Sequence, residues 1–253
     1  MNEKDFFAEI EHIEVPWGSR TIMCPVFFYD VMSFGIYMLA SIEKVKAILP
    51  SKRMQPYRVM PQRCLVSVLV LKYRQSDIGP YNEVSISIPF TLDQVSPLFT
   101  GLLRKIPEVP MVYIHQMPVT TQIALDAGVE FSGFPKFMAE INITEKDDRV
   151  SCHLGAGDKQ ILTLSGRKLP LAPGERTNMH IITYRNGYLL RTGFVISERE
   201  MGISKNTDDV RLDFGDHQIA YDLRELDLGK IVSYQYTPNF QAIQTPAYES
   251  YAV

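Results

Sequence analysis

One lysine of this chain sits in an unusual setting. The segment Gly128-Val129-Glu130-Phe131-Ser132-Gly133-Phe134-Pro135-Lys136-Phe137-Met138-Ala139 places a single amine among Phe134, Pro135, Phe137 and Met138. Lysine is seldom fully buried. Apolar flanks leave two readings open: the stem lies along apolar surface with the nitrogen in water, or the amine is held dry. At pH 7 an ordinary lysine, with a pKa near ~10.4, is a free base in only about one molecule in a few thousand. Desolvation or a nearby cation enlarges that fraction and turns the nitrogen into a nucleophile toward carbonyl carbon. A second pattern lies upstream. From Glu83 to Phe90 the chain alternates strictly, with Val84, Ile86, Ile88 and Phe90 on one face and Glu83, Ser85 and Ser87 on the other. That polar stripe is either a solvated outer face or the wall of a pocket, and the residues alone leave both open.

Other chemistry finds little footing. There is no P-loop, HExxH, EF-hand loop or GxSxG. Gly155-x-Gly157 follows no βα unit and reads as a turn. The five histidines (His12, His115, His153, His180 and His217) lack metal-ligand spacing, so no metal or other cofactor is expected. Cys24, Cys64 and Cys152 are far apart and odd in number, which disfavours a disulfide framework or zinc site and predicts three reduced core thiols in a cytoplasmic protein.

The elements that must carry these groups are mostly strands. Strands are predicted at 21–29, 63–73, 84–90, 111–119, 136–146, 149–156 and 159–167, the last three as a meander. MHIITYR, YLLRTGFVIS and IVSYQYTP add C-terminal strands. The 63–73 run is apolar enough to be covered on both faces for part of its length. Helices are predicted at Ser41–Leu49, stopped by Pro50; at Leu92–Leu103; and at Thr120–Glu130, with Gly128 weakening its end. The sum is an α+β chain, mostly antiparallel sheet closed into a barrel-like or cone-like core with a few peripheral helices. No repeat or linker divides it, so residues 1–253 are expected to form one domain.

Composition bounds the partners. The 253 residues are 45% hydrophobic and 22% charged, with formal net charge -3, which is ordinary globular usage. No basic stripe points to nucleic acid. The N-terminus lacks a signal-peptide pattern, and the apolar run 64–71 is too short to span a bilayer, so no membrane partner is expected.

Several motifs together resemble one family. GVEFSGFPKF is similar to the acetoacetate decarboxylase signature, in which Gly-Arg-Glu leads through Gly-aromatic-Pro to a Schiff-base lysine; Lys136 falls on that lysine. Tyr81-Asn82-Glu83 resembles the family's Tyr-Thr-Glu, whose glutamate lies in the active site, and Ser19-Arg20-Thr21 resembles the segment with its active-site arginine. The intervals are similar too, and the tail from Arg211 through LRELDLGKIVSYQY resembles the family's C-terminal region.

The resemblance implies an enzyme in which Lys136 forms an imine with a small keto acid. Glu83 would shuttle protons, and Arg20 would either pair with the substrate carboxylate or hold Glu83 ionised. Phe134, Met117 and Trp17 are candidates to line the cavity, with core packing the plainer role for Met117 and Trp17, and the resemblance implies a homo-oligomer. Acetoacetate decarboxylase is itself a standard example of a lysine activated by its surroundings, so that activation comes with the resemblance. Three positions depart from the pattern. Phe137 stands where a second lysine is common, Ser67 or Val68 where a second active-site glutamate falls, and Val129 where the signature has arginine. With Phe137 next to Lys136, the task of keeping the amine neutral falls to apolar neighbours such as Phe134 and Met138, with a smaller contribution from Arg20. Decarboxylation of a β-keto acid such as acetoacetate is the leading expectation. Aldolase-dehydratase or cyclase chemistry on the same imine is the second. A non-catalytic binder of a small hydrophobic acid is the third.

Overall fold

The computed structural model describes residues 6–93 and 110–253. The chain begins with β1 (Ile13–Trp17), β2 (Arg20–Cys24), β3 (Val26–Ser41), α1 (Ile42–Ile48), β4 (Met54–Pro56), β5 (Arg58–Met60), β6 (Arg63–Ser76) and β7 (Tyr81–Leu92). It continues through β8 (Met111–Val119), α2 (Gln122–Ser132), β9 (Lys136–Met138), β10 (Glu140–Lys146), β11 (Arg149–Ala156) and β12 (Lys159–Arg167). The remainder is β13 (Ala172–Pro173), β14 (Arg176–Arg185), β15 (Tyr188–Glu198), β16 (Glu200–Ser204), β17 (Val210–Phe214), α3 (Gln218–Glu225) and β18 (Ile231–Ala252).

Seven strands close a ring in the order β18-β15-β14-β8-β7-β6-β3, with β3 pairing back onto β18. Neighbours are antiparallel except β14 and β8. A second sheet, β10-β11-β12-β17, covers one side of this barrel. The fold is the expected α+β type, with a mostly antiparallel closed core.

Strand alternation explains how the two sheets meet. Val66, Val68 and Val70 of β6 and Val84, Ile86 and Ile88 of β7 face outward and pack with Cys152, Leu154 and Leu162 of the second sheet. The intervening Ser67, Leu69, Glu83, Ser85 and Ser87 therefore face the barrel interior, where they line a cavity. The run at 63–73 is covered on both faces, as its composition predicts. Cys64 and Cys152 lie in the apolar layer, where burial pushes both thiols up to about 12. Cys24 is half-buried, so two of the three expected core thiols are in the core.

Two predicted strands are each divided. The strand expected at 21–29 breaks at Pro25, which has no N–H for a ladder. The strand expected at 136–146 becomes β9, paired in parallel with β8 of the barrel, and β10, which belongs to the outer sheet. Between them, the Ala139 N–H donates to the Val119 carbonyl, so the chain leaves one sheet for the other at that residue. The meander β10-β11-β12 forms as predicted, with Asp147 and Gly157 taking the left-handed conformations its two turns need.

Helix α1 starts at Ser41, whose side chain accepts from the Lys44 N–H, and stops before Pro50. Helix α2 runs to Ser132, past the expected end at Glu130. It is terminated by Gly133 at φ 63, whose N–H donates to the Val129 carbonyl. Helix α3, capped by the His217 side chain, was not anticipated, although Ala220 and Leu223 give it a buried face. Of the helix expected at Leu92–Leu103, Leu92 ends β7, and residues 94–103 lie outside the described residues. No helix among the described residues is long and apolar enough to cross a membrane.

Candidate active site

Glu83 projects inward from β7, near its start. Its cross-strand neighbours are Leu71 on β6 and Val119 on β8. Two residues earlier, Tyr81 pairs in register with Tyr73 of β6, and their rings stack at 4.3 Å. The Tyr73 hydroxyl donates to Glu83 Oε1 at 3.2 Å. Burial, reinforced by the Glu83 charge, pushes both tyrosines well above their ordinary range, so each hydroxyl keeps its proton.

Lys136 arrives from the other side. Helix α2 ends at Gly133, and Pro135 and Lys136 turn into β9, where Lys136 pairs with Met117 of β8. Its Nζ lies 2.9 Å from Glu83 Oε2, with each side chain only 5% exposed. The contact is an ion pair without hydrogen-bond alignment, since Glu83 Oε2 accepts no hydrogen bond from the described residues. The Tyr81 and Phe134 rings each have their centroid 5.5 Å from Nζ.

The stem of Lys136 crosses α2 at Gly128. A Cβ built there would stand 2.6 Å from Lys136 Cδ and Cε and 2.9 Å from Nζ. Only a residue without a side chain lets the lysine pass so close to the helix. The amine borders a narrow cleft that Ile22, Cys24, Phe131 and Gln244 also line. Its carboxylate partner lies on the wall of the main cavity, whose volume is ≈ 750 Å³. That is within the range of ~300–1,000 Å³ typical of pockets for drug-sized ligands.

The structure brings together four of the six residues expected in the site. Lys136 and Glu83 are paired, and buried Phe134 and Met117 line the cavity beside Glu83. Arg20 and Trp17 lie elsewhere, opposite each other on the β1–β2 hairpin. Arg20 is exposed, with its guanidinium 6.0 Å above the Trp17 ring. Trp17 packs edge-on against Phe131 and donates to Glu130 at 2.5 Å, which also gives Glu130 a structural role. Neither lines the cavity. Met138 is 44% exposed, so the ring neighbours of the amine are Phe134 and Tyr81. Phe137 alternates away and packs with the layer under the second sheet.

At the second glutamate position, Ser67 faces the cavity, its Oγ 2.6 Å from the Ser87 Oγ, while Val68 points into the apolar layer. Tyr73 and Gly128 were not foreseen. Tyr73 could have been found by pairing it with Tyr81 across the intervening turn. A glycine inside a helix, eight residues before the lysine, was a sign of close approach. Among the described residues, no group of three or more His, Cys, Asp and Glu side chains is gathered to hold a metal ion.

An amine and a carboxylate sealed together among rings can pass one proton between them. Coulomb attraction favours the ion pair, and burial favours the neutral pair. Transfer of the proton to Glu83 leaves a free amine at the narrow cleft, beside a carboxyl group on the wall of the main cavity.

Comparisons with known proteins place the chain in a family and a fold. The sequence profile of the acetoacetate decarboxylase family matches residues 14–219. A search of the curated proteins returned no match. Among solved structures, a crystal structure of acetoacetate decarboxylase from Legionella pneumophila is 17% identical, with TM-score 0.68, covering 94% of this chain and 92% of that one. Another structure described as acetoacetate decarboxylase is 18% identical, with TM-score 0.65 over 94% of this chain and 90% of that one. The enduracididine biosynthesis enzyme MppR, complexed with the condensation product of pyruvate and imidazole 4-carboxaldehyde, is 11% identical, with TM-score 0.58 over 90% of this chain and 89% of that one. These structural likenesses establish the shared fold, and the profile, spanning most of the sequence, establishes that the chain belongs to the acetoacetate decarboxylase family.

Proposed function

We propose that this protein is a Schiff-base carbon–carbon lyase acting on a keto acid, with Lys136 as the nucleophile and Glu83 as its proton partner. The observation that carries the reading is the buried 2.9 Å contact between Nζ and the Glu83 carboxylate at the wall of a ligand-sized cavity. Glu83 accepts a proton from the Lys136 ammonium. The free amine adds to the substrate ketone to give a carbinolamine. Glu83 returns the proton to the departing hydroxyl, and loss of water leaves an iminium. In decarboxylation, the electron pair of the bond to the carboxylate flows into the iminium. Carbon dioxide leaves, and an enamine remains. Protonation of the enamine carbon and hydrolysis by water release the ketone and restore the amine. Tyr73 holds the carboxylate in place through its hydrogen bond. The dry wall supports loss of charge from the substrate, because a carboxylate is less stable there than in water.

A second reading uses the same iminium for aldol condensation and dehydration. Two observations favour it. The cavity is larger than acetoacetate needs, and the second glutamate position is Ser67, which cannot exchange a carboxyl proton. Product analysis separates the two. Carbon dioxide and acetone from acetoacetate support decarboxylation, and a condensed enone from pyruvate plus an aldehyde supports the aldol route. A protein that binds keto acids without forming either product, and whose binding survives Lys136→Met, is a binder and refutes both.

A further inference from the structure

The imine chemistry uses one wall of the barrel; the opposite wall is also polar. In a ring of seven strands, β15 and β18 lie three strands from β7, as far as any strand can be. There Glu198, at the end of β15, and Glu175, just before β14, both line the cavity. The Thr237 hydroxyl of β18 donates to Glu198 Oε1 at 3.1 Å. No ion pair among the described residues involves either glutamate. Burial first, and then the Glu175 charge, raise the Glu198 carboxyl above its usual range, against the lowering effect of the Thr237 hydroxyl.

A neighbouring hydroxyl adds to this polar wall. Ser33, which pairs in register with Thr237, is 7% exposed and lines the cavity, and its hydroxyl has no hydrogen-bond partner among the described residues. Buried hydroxyls are seldom left unpaired.

The charge of the wall restricts what can fill it. Among the described residues, the main cavity is lined by three carboxylates, Glu83, Glu175 and Glu198, and by no lysine or arginine. Lys136, which borders the site, is balanced by Glu83. A plain keto-acid anion would bring negative charge to a wall that is already negative. We propose that Glu175 and Glu198 hold a cationic nitrogen, guanidinium or ammonium, at the tail of a carbonyl substrate whose other end condenses with Lys136. The assignment of the condensing end rests on the Schiff-base reading above; the cation site does not. Seven strands ~4.8 Å apart and tilted ~40° set the walls on the order of 14 Å apart. Side chains from both walls leave a gap that a linker of about four atoms spans. A guanidinium offers paired donors that two carboxylates and a threonine can share.

The test compares butylguanidinium with its uncharged counterpart butylurea, by titration calorimetry on the intact protein. We expect butylguanidinium to bind at least about tenfold more tightly, as charge-assisted hydrogen bonds require. In E175Q/E198Q, shown folded by thermal unfolding, that preference should fall below about twofold. Equal binding of the two probes to the parent protein, or a preference unchanged in the variant, overturns the proposal. A parallel experiment traps Lys136 adducts of pyruvate with borohydride. Adducts without a cation preference overturn this proposal alone. A cation preference with no adduct from any keto acid supports it and refutes the Schiff-base reading instead.

Discussion

Gly128→Ala should separate activity from folding. The new Cβ would lie 2.6 Å from Lys136 Cδ and Cε, where ordinary carbon contacts stand at ~3.5–4.0 Å, so something must yield by about 1 Å. The atoms in the way are the far end of a flexible side chain, so the lysine moves and the helix stays. Alanine gains up to ~1 kcal/mol in helix propensity over glycine, and overpacking costs ~1–3 kcal/mol. The net loss is about 0–2 kcal/mol, a fall in Tm of at most ~8 °C for a chain of this size. Activity suffers more, because displacing a reacting group by about 1 Å costs on the order of 100-fold. The assay is the rate at which a keto acid plus borohydride labels the protein, measured beside thermal unfolding. A folded G128A protein that labels within threefold of the parent rate would show that the amine does not depend on this cradle.

Three further outcomes are expected. Lys136→Met should destabilise the protein by ~3–5 kcal/mol, because it leaves the Glu83 carboxylate buried with Tyr73 as its one donor. K136M/E83Q should recover most of that loss in urea unfolding; equal stability of the single and double variants would contradict a buried pair. Glu83→Gln should slow adduct formation by ~10²–10⁴-fold, the range for a lost proton-transfer group; a change below threefold in the labelling assay would remove Glu83 from the chemistry. Alkaline stability tests the tyrosine pair. Tyr73 and Tyr81 have folded-state pKa values raised well above 10.0, so the unfolded chain releases protons that the folded chain keeps. Their contribution to stability is full below the unfolded-state value and is lost as pH rises beyond it. Tyrosinate absorbance from this pair should therefore appear only with loss of the near-ultraviolet dichroism of the fold.

Arg20 offers a sharp contrast between sequence and structure. Its interval from Glu83 resembled the family's active-site arginine, yet the guanidinium is exposed over Trp17. Arg20→Ala is accordingly expected to change labelling by less than about threefold, the scale of a lost exposed cation–π contact; a loss beyond tenfold would place it in the reaction.

Local pattern carried much of the rest. The alternation from Glu83 to Phe90 named both faces of β7 correctly. It could not say which face met the cavity, because the apolar face is covered by a second sheet that packs on the outside of the barrel. The lysine was legible from its signature and ring neighbours. Its cradle at Gly128 was not, because the approach of Lys136 to α2 is a tertiary contact that spacing alone does not specify. The expectation that Met138 would shield the amine failed on strand geometry. Residues 136 and 138 of β9 share a side of the backbone, but Met138 is already at the exposed end of that short strand. Phe134, ahead of the strand on the Gly133 turn, reaches the amine instead.

The most direct test of the central claim is peptide mapping after reduction. The protein is incubated with acetoacetate and borohydride, digested, and sequenced by mass spectrometry. The account predicts one saturable adduct, on the peptide containing Lys136, with no label in K136M. Labelling spread over the exposed lysines, with Lys136 unmodified across a panel of keto acids, would contradict it.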